Sequence, residues 1–339
     1  MTKPWGQMLM VGIPGLHLDE VARTLIRDLQ VGGIILFKRN ISHPQQVAEL
    51  IDACQQTALA ASGYPLLVAV DQEGGPVQRF RHPWLETPSA RQMGAAGDLA
   101  AIEHSAQRVA QELQLMGVNV NLAPVLDVAR NPDCPLWERS YSADPEAVVR
   151  CGLAAVRGYL AGGVLPVVKH FPGLGATRLD SHLDLPTVEG GTDAGNEDLF
   201  PFREAITAGI PAVMCAHLLV PSWDSNLPTS LSPVAVTRIL RQHLKFFGLI
   251  FSDDLEMGAI TRKWPVPEAA RRAVAAGIDI ILICEQIENV KKTLAALSQS
   301  PELESRLRSA WQRIQQYKKT LPQLRLNLEA IQARFASGH

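Results

Sequence analysis

The sequence predicts one (β/α)8 barrel. Eight short runs rich in Val, Ile and Leu alternate with longer amphipathic stretches. The runs lack the polar/apolar alternation of a half-exposed sheet, as parallel strands covered on both faces do. Polar residues collect just after several of the runs, where a barrel carries its chemistry. At 339 residues the chain has room for one large domain or two ordinary ones. A doubly wound open sheet is the second candidate. It would usually have fewer strands for one site and a glycine-rich nucleotide turn; neither G-x-G-x-x-G nor G-x-x-x-x-G-K-[ST] occurs.

The first strand is expected at 8–13, followed by a helix at 18–29 with Leu18, Val21, Leu25 and Leu29 on one face. A strand at 33–37 leads to a helix at 43–61 built on Val47, Leu50, Ile51 and Cys54. The third strand, 65–70, precedes a long Ala-rich helical stretch at 89–116. Strand 118–122 precedes a helix at 144–161, which opens on Asp144, Pro145 and Glu146, with proline in the first turn. Strand 165–168 is apolar on both faces and turns polar at Lys169 and His170. Pro172, Gly173 and Gly175 then break regular structure. A helix at 198–208 follows. Strand 212–215 with helix 233–244, strand 249–251 with helix 267–276, and strand 278–283 with helix 289–317 complete eight units. Residues 1–300 form the barrel in this reading. Residues 301–339 form a charged, Leu-spaced helical extension that packs on the barrel or on a partner.

Apolar residues make up 47 % and charged residues 19 %, enough for a large core and unlike a disordered chain. The formal net charge is −2 with no basic block, which disfavours nucleic acid. The five cysteines are scattered, odd in number and never spaced C-x-x-C, so neither a disulfide framework nor a zinc knuckle is indicated. Residues 1–10 are too short and interrupted for a secretory apolar region. No run approaches the ~18 apolar residues of a membrane span. The expectation is a cytoplasmic protein with no membrane or nucleic-acid partner.

In a barrel, every strand end faces one rim. The third strand ends in Asp71, Gln72, Glu73, Gly74 and Gly75, with Arg79 beyond. Asp127 and the run from Trp137 through Glu138, Arg139 and Ser140 to Tyr141 follow the fourth. The fifth gives Lys169 and His170, and its loop Asp180 and His182. The sixth gives His217; the seventh gives Ser252, Asp253 and Asp254. Each residue alone has a bland alternative. Asp127 would cap a turn, His217 would be a satisfied core histidine, and Glu73 and Asp254 would hold loops through backbone hydrogen bonds. Together they offer many groups for a polyhydroxylated ligand and a strand-end carboxylate, Asp253, able to act as nucleophile. They also offer a loop histidine, His182, beside Asp180. Histidine titrates near neutral pH and can give and then take a proton. A neighbouring carboxylate orients such an imidazole. The combination points to glycosyl transfer to water.

The run from Lys169 to Gly175, with Asp180, Ser181 and His182, resembles the signature of glycoside hydrolase family 3, specifically its single-domain bacterial β-N-acetylglucosaminidases. The blocks 71–79, 138–141, 214–217 and 248–257 are similar to that family's other motifs, in the same order. The resemblance covers roughly residues 5 to 290, and a joint match on at least five strands is far more specific than any single block. It implies a barrel and a retaining double displacement, with Asp253 as nucleophile, His182 as acid/base and Asp180 as its partner. This division of labour is unusual, since most glycosidases use two carboxylates. The resemblance further implies that Asp71, Arg79, Arg139, Lys169 and His170 bind N-acetylglucosamine; His217 is included with them. No cofactor and no metal are expected, and the chain is expected to be a monomer or weak dimer. The implied setting is cytoplasmic cleavage of non-reducing N-acetylglucosamine from 1,6-anhydro-N-acetylmuramyl peptides, in peptidoglycan recycling. Three positions depart from the pattern: Leu174 for the usual histidine, Pro76 for arginine, and His243 for an acidic residue.

Two enzymatic alternatives remain. A metal-dependent barrel hydrolase would use such residues as Asp71, His170, His182, His217, Asp253 and Asp254, but it typically needs a His-x-His pair at a strand end, and the chain has none. A phosphorylase is closer, because a histidine acid/base tolerates incoming phosphate better than a carboxylate does. A third alternative, a non-catalytic sugar-binding protein, would be indifferent to loss of Asp253.

Overall fold

A computed structural model describes residues 3–177, 184–188, 197–321 and 326–336. The strands are β1 (Leu9–Gly12), β2 (Gly33–Leu36), β3 (Leu67–Val70), β4 (Gln72–Gly74), β5 (Val77–Gln78), β6 (Val120–Asn121), β7 (Leu165–Pro166), β8 (Val168–Phe171), β9 (Ala212–Cys215), β10 (Leu249–Asp254) and β11 (Ile280–Ile283). Nine of them pair in parallel in the order β7-β6-β3-β2-β1-β11-β10-β9-β8. The two ends of that order, β7 and β8, are successive pieces of one stretch divided at Val167. The sheet therefore comes back on itself as a nearly closed barrel. The expected eight strands are eight barrel positions, the fifth of them split.

Two strands run further than the sequence suggests. β8 continues to Phe171 and β10 to Asp254, so the polar residues read as strand-end loops lie within the strands themselves. Polar residues need not face water when they have partners: Lys169 and His170 on β8 are paired with Asp71 and Asp127, and Asp253 and Asp254 on β10 accept backbone N–H groups. After β3 the chain first forms the antiparallel hairpin β4–β5.

The helices are α1 (Glu20–Arg23), extended by a π-helical turn, α2 (Pro44–Ser62), α3 (Ala90–Ala96), α4 (Leu99–Leu115), α5 (Pro145–Ala161), α6 (Phe200–Thr207), a π-helical segment Val234–His243, α7 (Gly258–Thr261), α8 (Val266–Ala276), α9 (Ile287–Ser298), α10 (Glu304–Thr320) and α11 (Leu328–Ala336). The stretch 89–116 is two helices, because Gly97 takes φ +69° and Asp98 caps the second through the Ala101 N–H at 3.0 Å. α5 starts as expected: the Asp144 carboxylate accepts from the Glu146 and Ala147 N–H groups, with Pro145 in the first turn.

The core runs through the barrel and under the helices, with Phe80, Phe171, Phe202 and Phe251 completely enclosed. α10 seals the end where the strands begin. Tyr317 donates to the Pro211 carbonyl at 2.9 Å, Lys318 to Gln7 Oε1 at 2.9 Å, and Arg313 to Asp279 at 3.0 Å. Burial without a carboxylate pulls the Lys318 ammonium down to about 7. No described helix is long and apolar enough to cross a membrane.

Candidate active site

The chain after β3 turns back on itself as a hairpin because Gly74 and Gly75 adopt φ +111° and +53°. A side chain on Gly75 would also fall 2.6 Å from Ser89, so the turn closes only with glycine. The hairpin is held from within. Gln72 Oε1 accepts from the Arg79 and Phe80 N–H groups at 2.9 and 3.0 Å, and Gln72 Nε2 donates to the Phe80 carbonyl. Gln72 thereby sets Asp71, Glu73 and Arg79 around one opening.

That opening is a cavity of about 540 Å³ at the strands' C-terminal ends. On one side lies an ion-pair network. Lys169 Nζ sits 2.7 Å from both Asp71 Oδ1 and Glu73 Oε1. Arg139 makes a two-pronged contact with Glu73 at 2.8 Å each, and Arg79 reaches Asp71 at 3.1 Å. Lys169 is 3 % exposed, so each charge depends on the others for what water no longer supplies. Burial alone would raise the Asp71 carboxyl, but Lys169 and Arg79 overcome it and hold it well below the usual range. Glu73 likewise falls to about 2, Arg139 and Lys169 outweighing burial. Lys169 stays charged, since Asp71 and Glu73 outweigh its desolvation.

His170 is buried beside this network. Its Nδ1 is 2.7 Å from Asp127 Oδ2, and its Nε2 is 3.4 Å from Arg139 Nη2. Asp127, completely enclosed, also accepts from the His170 N–H at 3.2 Å and the Leu174 N–H at 2.6 Å. One carboxylate thus fixes the ring, its backbone and the start of the following loop. Gly175 fits there because any side chain would strike the Val128 carbonyl.

Asp253 and Asp254 line the same cavity, on the wall formed by β10. Asp253 Oδ1 accepts from the Asp254 N–H at 2.9 Å. Asp254 accepts from the Glu256 N–H at 3.1 Å and is hydrogen-bonded to the Cys284 thiol. Burial pushes its carboxyl up to about 7; Glu256 and Asp253 add to the rise.

Of the residues expected to bind sugar, the structure brings Asp71, Arg79, Arg139, Lys169 and His170 together. His217 is fully enclosed and is not among the described cavity-lining residues; Nδ1 meets Ser230 Oγ at 2.7 Å and Nε2 donates to the Asp254 carbonyl at 2.8 Å. Its partners on β10 and in the loop after β9 are invisible to spacing along the chain. Asp180 and His182 lie outside the described residues. Glu73 and Asp127 are strand-end acids in the sequence, with loop holding the bland reading of the first and turn capping that of the second. Glu73 anchors two cations, and Asp127 holds His170 and the start of the loop after it. Leu174 lines the cavity, Pro76 is exposed in the hairpin turn, and His243 is exposed at the end of the π-helical segment. Among the described residues, no group of three or more His, Cys, Asp or Glu could hold a metal ion.

Residues 2–317 match the glycosyl hydrolase family 3 N-terminal domain. A β-hexosaminidase from Alkalilimnicola ehrlichii is 38 % identical over 296 residues, 85 % of this chain and 84 % of that one. A β-hexosaminidase from Thiobacillus denitrificans is 39 % identical over 299 residues, 85 % and 81 % of the two chains. The structure of a family 3 β-N-acetylglucosaminidase from Paenibacillus superposes with a TM-score of 0.90 at 39 % identity. It covers 99 % of this chain, which spans only 63 % of that longer one. A β-N-acetylhexosaminidase from Beutenbergia cavernae gives a TM-score of 0.87 at 29 % identity, covering 93 % and 97 % of the two chains. With its whole barrel inside this match and its strand-end acids around one mouth, the chain belongs to glycosyl hydrolase family 3.

Proposed function

We propose that the chain is a retaining exo-β-N-acetylglucosaminidase. The observation that carries this reading is that Asp253 lines the same cavity as the Asp71–Lys169–Glu73–Arg139 network. Relatives named β-hexosaminidase, at 38–39 % identity over most of the chain, support the sugar. In the first step an Asp253 oxygen attacks the anomeric carbon and the bond to the leaving oxygen breaks. His182, oriented by Asp180, gives that oxygen its proton. In the second, neutral His182 takes a proton from water as the water oxygen attacks the same carbon and frees Asp253. Asp71 can accept from two hydroxyls. Arg79, Arg139, Lys169 and His170 can donate to hydroxyls or to the acetamido carbonyl.

The substrate in this reading is N-acetylglucosamine linked to a 1,6-anhydro-N-acetylmuramyl peptide, cleaved in the cytoplasm during cell-wall recycling by a monomer or weak dimer. All five cysteines are unpaired and buried, as suits a reducing compartment. Residues 301–339 act as an extension of the 1–300 barrel.

The deciding experiment is trapping a sugar adduct with a slow substrate and locating it by peptide mass. The adduct is expected on the peptide containing Asp253; an adduct elsewhere, or an inverted product, overturns the mechanism. His182→Ala is expected to hurt substrates with poor leaving groups most, because good ones need little protonation. Release of N-acetylglucosamine 1-phosphate in phosphate buffer would point to phosphorolysis instead.

A further inference from the structure

The helix α11 lies beyond the family match, which ends at residue 317. It packs against α2, and Ile331 is buried in the common core. Two of its residues reach the segment that follows the hairpin. Phe335 meets the Trp84 ring edge-on at 5.9 Å, and Trp84 lies 4.9 Å from Phe80. Arg334 pairs with Glu112, whose other oxygen accepts from the Leu85 N–H at 2.8 Å. Glu112 is 3 % exposed, so the carboxylate that joins Arg334 to Leu85 is itself buried. Trp84 is further fixed by its Nε1 donating to Met116 Sδ. Phe80 and Arg79 in turn donate through their N–H groups to the same Gln72 oxygen, and Gln72 stands between Asp71 and Glu73. A continuous set of contacts therefore joins α11 to the pairing of Arg79 with Asp71.

We propose that α11 braces the sugar-binding end of the cavity, with Phe335 and Arg334 as positioning residues that act through residues 80–85 on Arg79. Neither is among the described residues that line the cavity. Their effect is on where the hairpin rests, because one aromatic pair alone holds little and the two pairs act together with the Arg334–Glu112 ion pair. The proposal rests on Arg79 being a ligand of the sugar, so its test has one readout that needs no substrate.

In the full chain, Phe335→Ala is compared with Phe335→Leu, which keeps an apolar contact, and with Arg334→Gln. Hydrogen exchange at the Arg79 and Phe80 amides is expected to quicken about tenfold in Phe335→Ala and to return towards the parent rate in Phe335→Leu. KM for a chromogenic N-acetyl-β-glucosaminide is expected to rise about fivefold with kcat within about twofold. Added to Arg79→Ala, Phe335→Ala should raise KM no further. Unchanged exchange at these two amides, or a KM increase that simply multiplies with that of Arg79→Ala, overturns the brace. If Phe335→Ala does not fold, Arg334→Gln decides by the same two readouts. A parent that cleaves no N-acetylglucosaminide defeats the proposed activity, and the exchange rates still decide the brace.

Discussion

Asp253 and Asp254 are consecutive in the chain, yet both line one cavity. Successive residues on a regular strand face opposite ways. Here β10 carries an extra residue against β11: Phe251 pairs with Ile280 and Asp254 with Leu282, three steps against two. Ser252 Oγ accepts the Leu282 N–H at 3.1 Å, and the Leu255 N–H donates to the Leu282 carbonyl at 3.1 Å. The bulge is therefore sealed rather than frayed. It sets two carboxyl groups side by side on one wall of the cavity, and burial pushes that of Asp254 up to about 7.

Asp253→Ala should lower kcat by several orders of magnitude while the protein stays folded and still binds N-acetylglucosamine. Turnover of a chromogenic glycoside and calorimetric binding check both halves. Near-parental turnover would remove Asp253 from the chemistry.

Asp254→Asn should stabilise the protein at pH 8 and leave it unchanged at pH 4. The folded carboxyl is raised to about 7 from an ordinary value of 3.8, so ionisation opposes folding increasingly between those pH values. The amide stays neutral and keeps an oxygen for the Glu256 N–H. Urea titrations at the two pH values give the comparison; equal stability at both contradicts the raised pKa.

Lys169→Met should be strongly destabilising, by about 3–5 kcal/mol, because it removes the cation shared by two buried carboxylates and leaves, among the described residues, Asp71 with Arg79 alone and Glu73 with Arg139 alone. In the parent, Asp71 and Glu73 are depressed. Their contribution is present above the unfolded values and is lost as pH falls through the folded ones, from 4.5 towards about 2 for Glu73. The variant should lose much of that acid dependence, which denaturant unfolding between pH 5 and 2.5 would reveal.

Asp127→Asn should cost about 1–3 kcal/mol and weaken sugar binding. Its amide nitrogen cannot accept from the hydrogen-bonded groups that now share two carboxylate oxygens. Binding of N-acetylglucosamine and thermal unfolding measure the two effects. Intact binding with lowered stability would confine Asp127 to the fold.

Hydrophobic pattern, with the lack of a glycine-rich nucleotide turn, pointed to the barrel. Eight doubly apolar runs with helices between them leave few other ways to bury both faces of each strand. The strand-end rule then gathered Asp71, Arg79, Arg139, Lys169 and His170 correctly around one mouth, because a barrel converts strand order into spatial proximity. Which charge meets which was not legible. Glu73 is paired with Arg139 and Lys169 across separations of 66 residues and more, and only the folded sheet sets that register. The same holds for His217. Its partners, Ser230 Oγ and the Asp254 carbonyl, stand 13 and 37 residues away along the chain and meet it only in the fold. The doubled acid on β10 is a matter of one extra residue between partners, and pairing partners exist only in three dimensions.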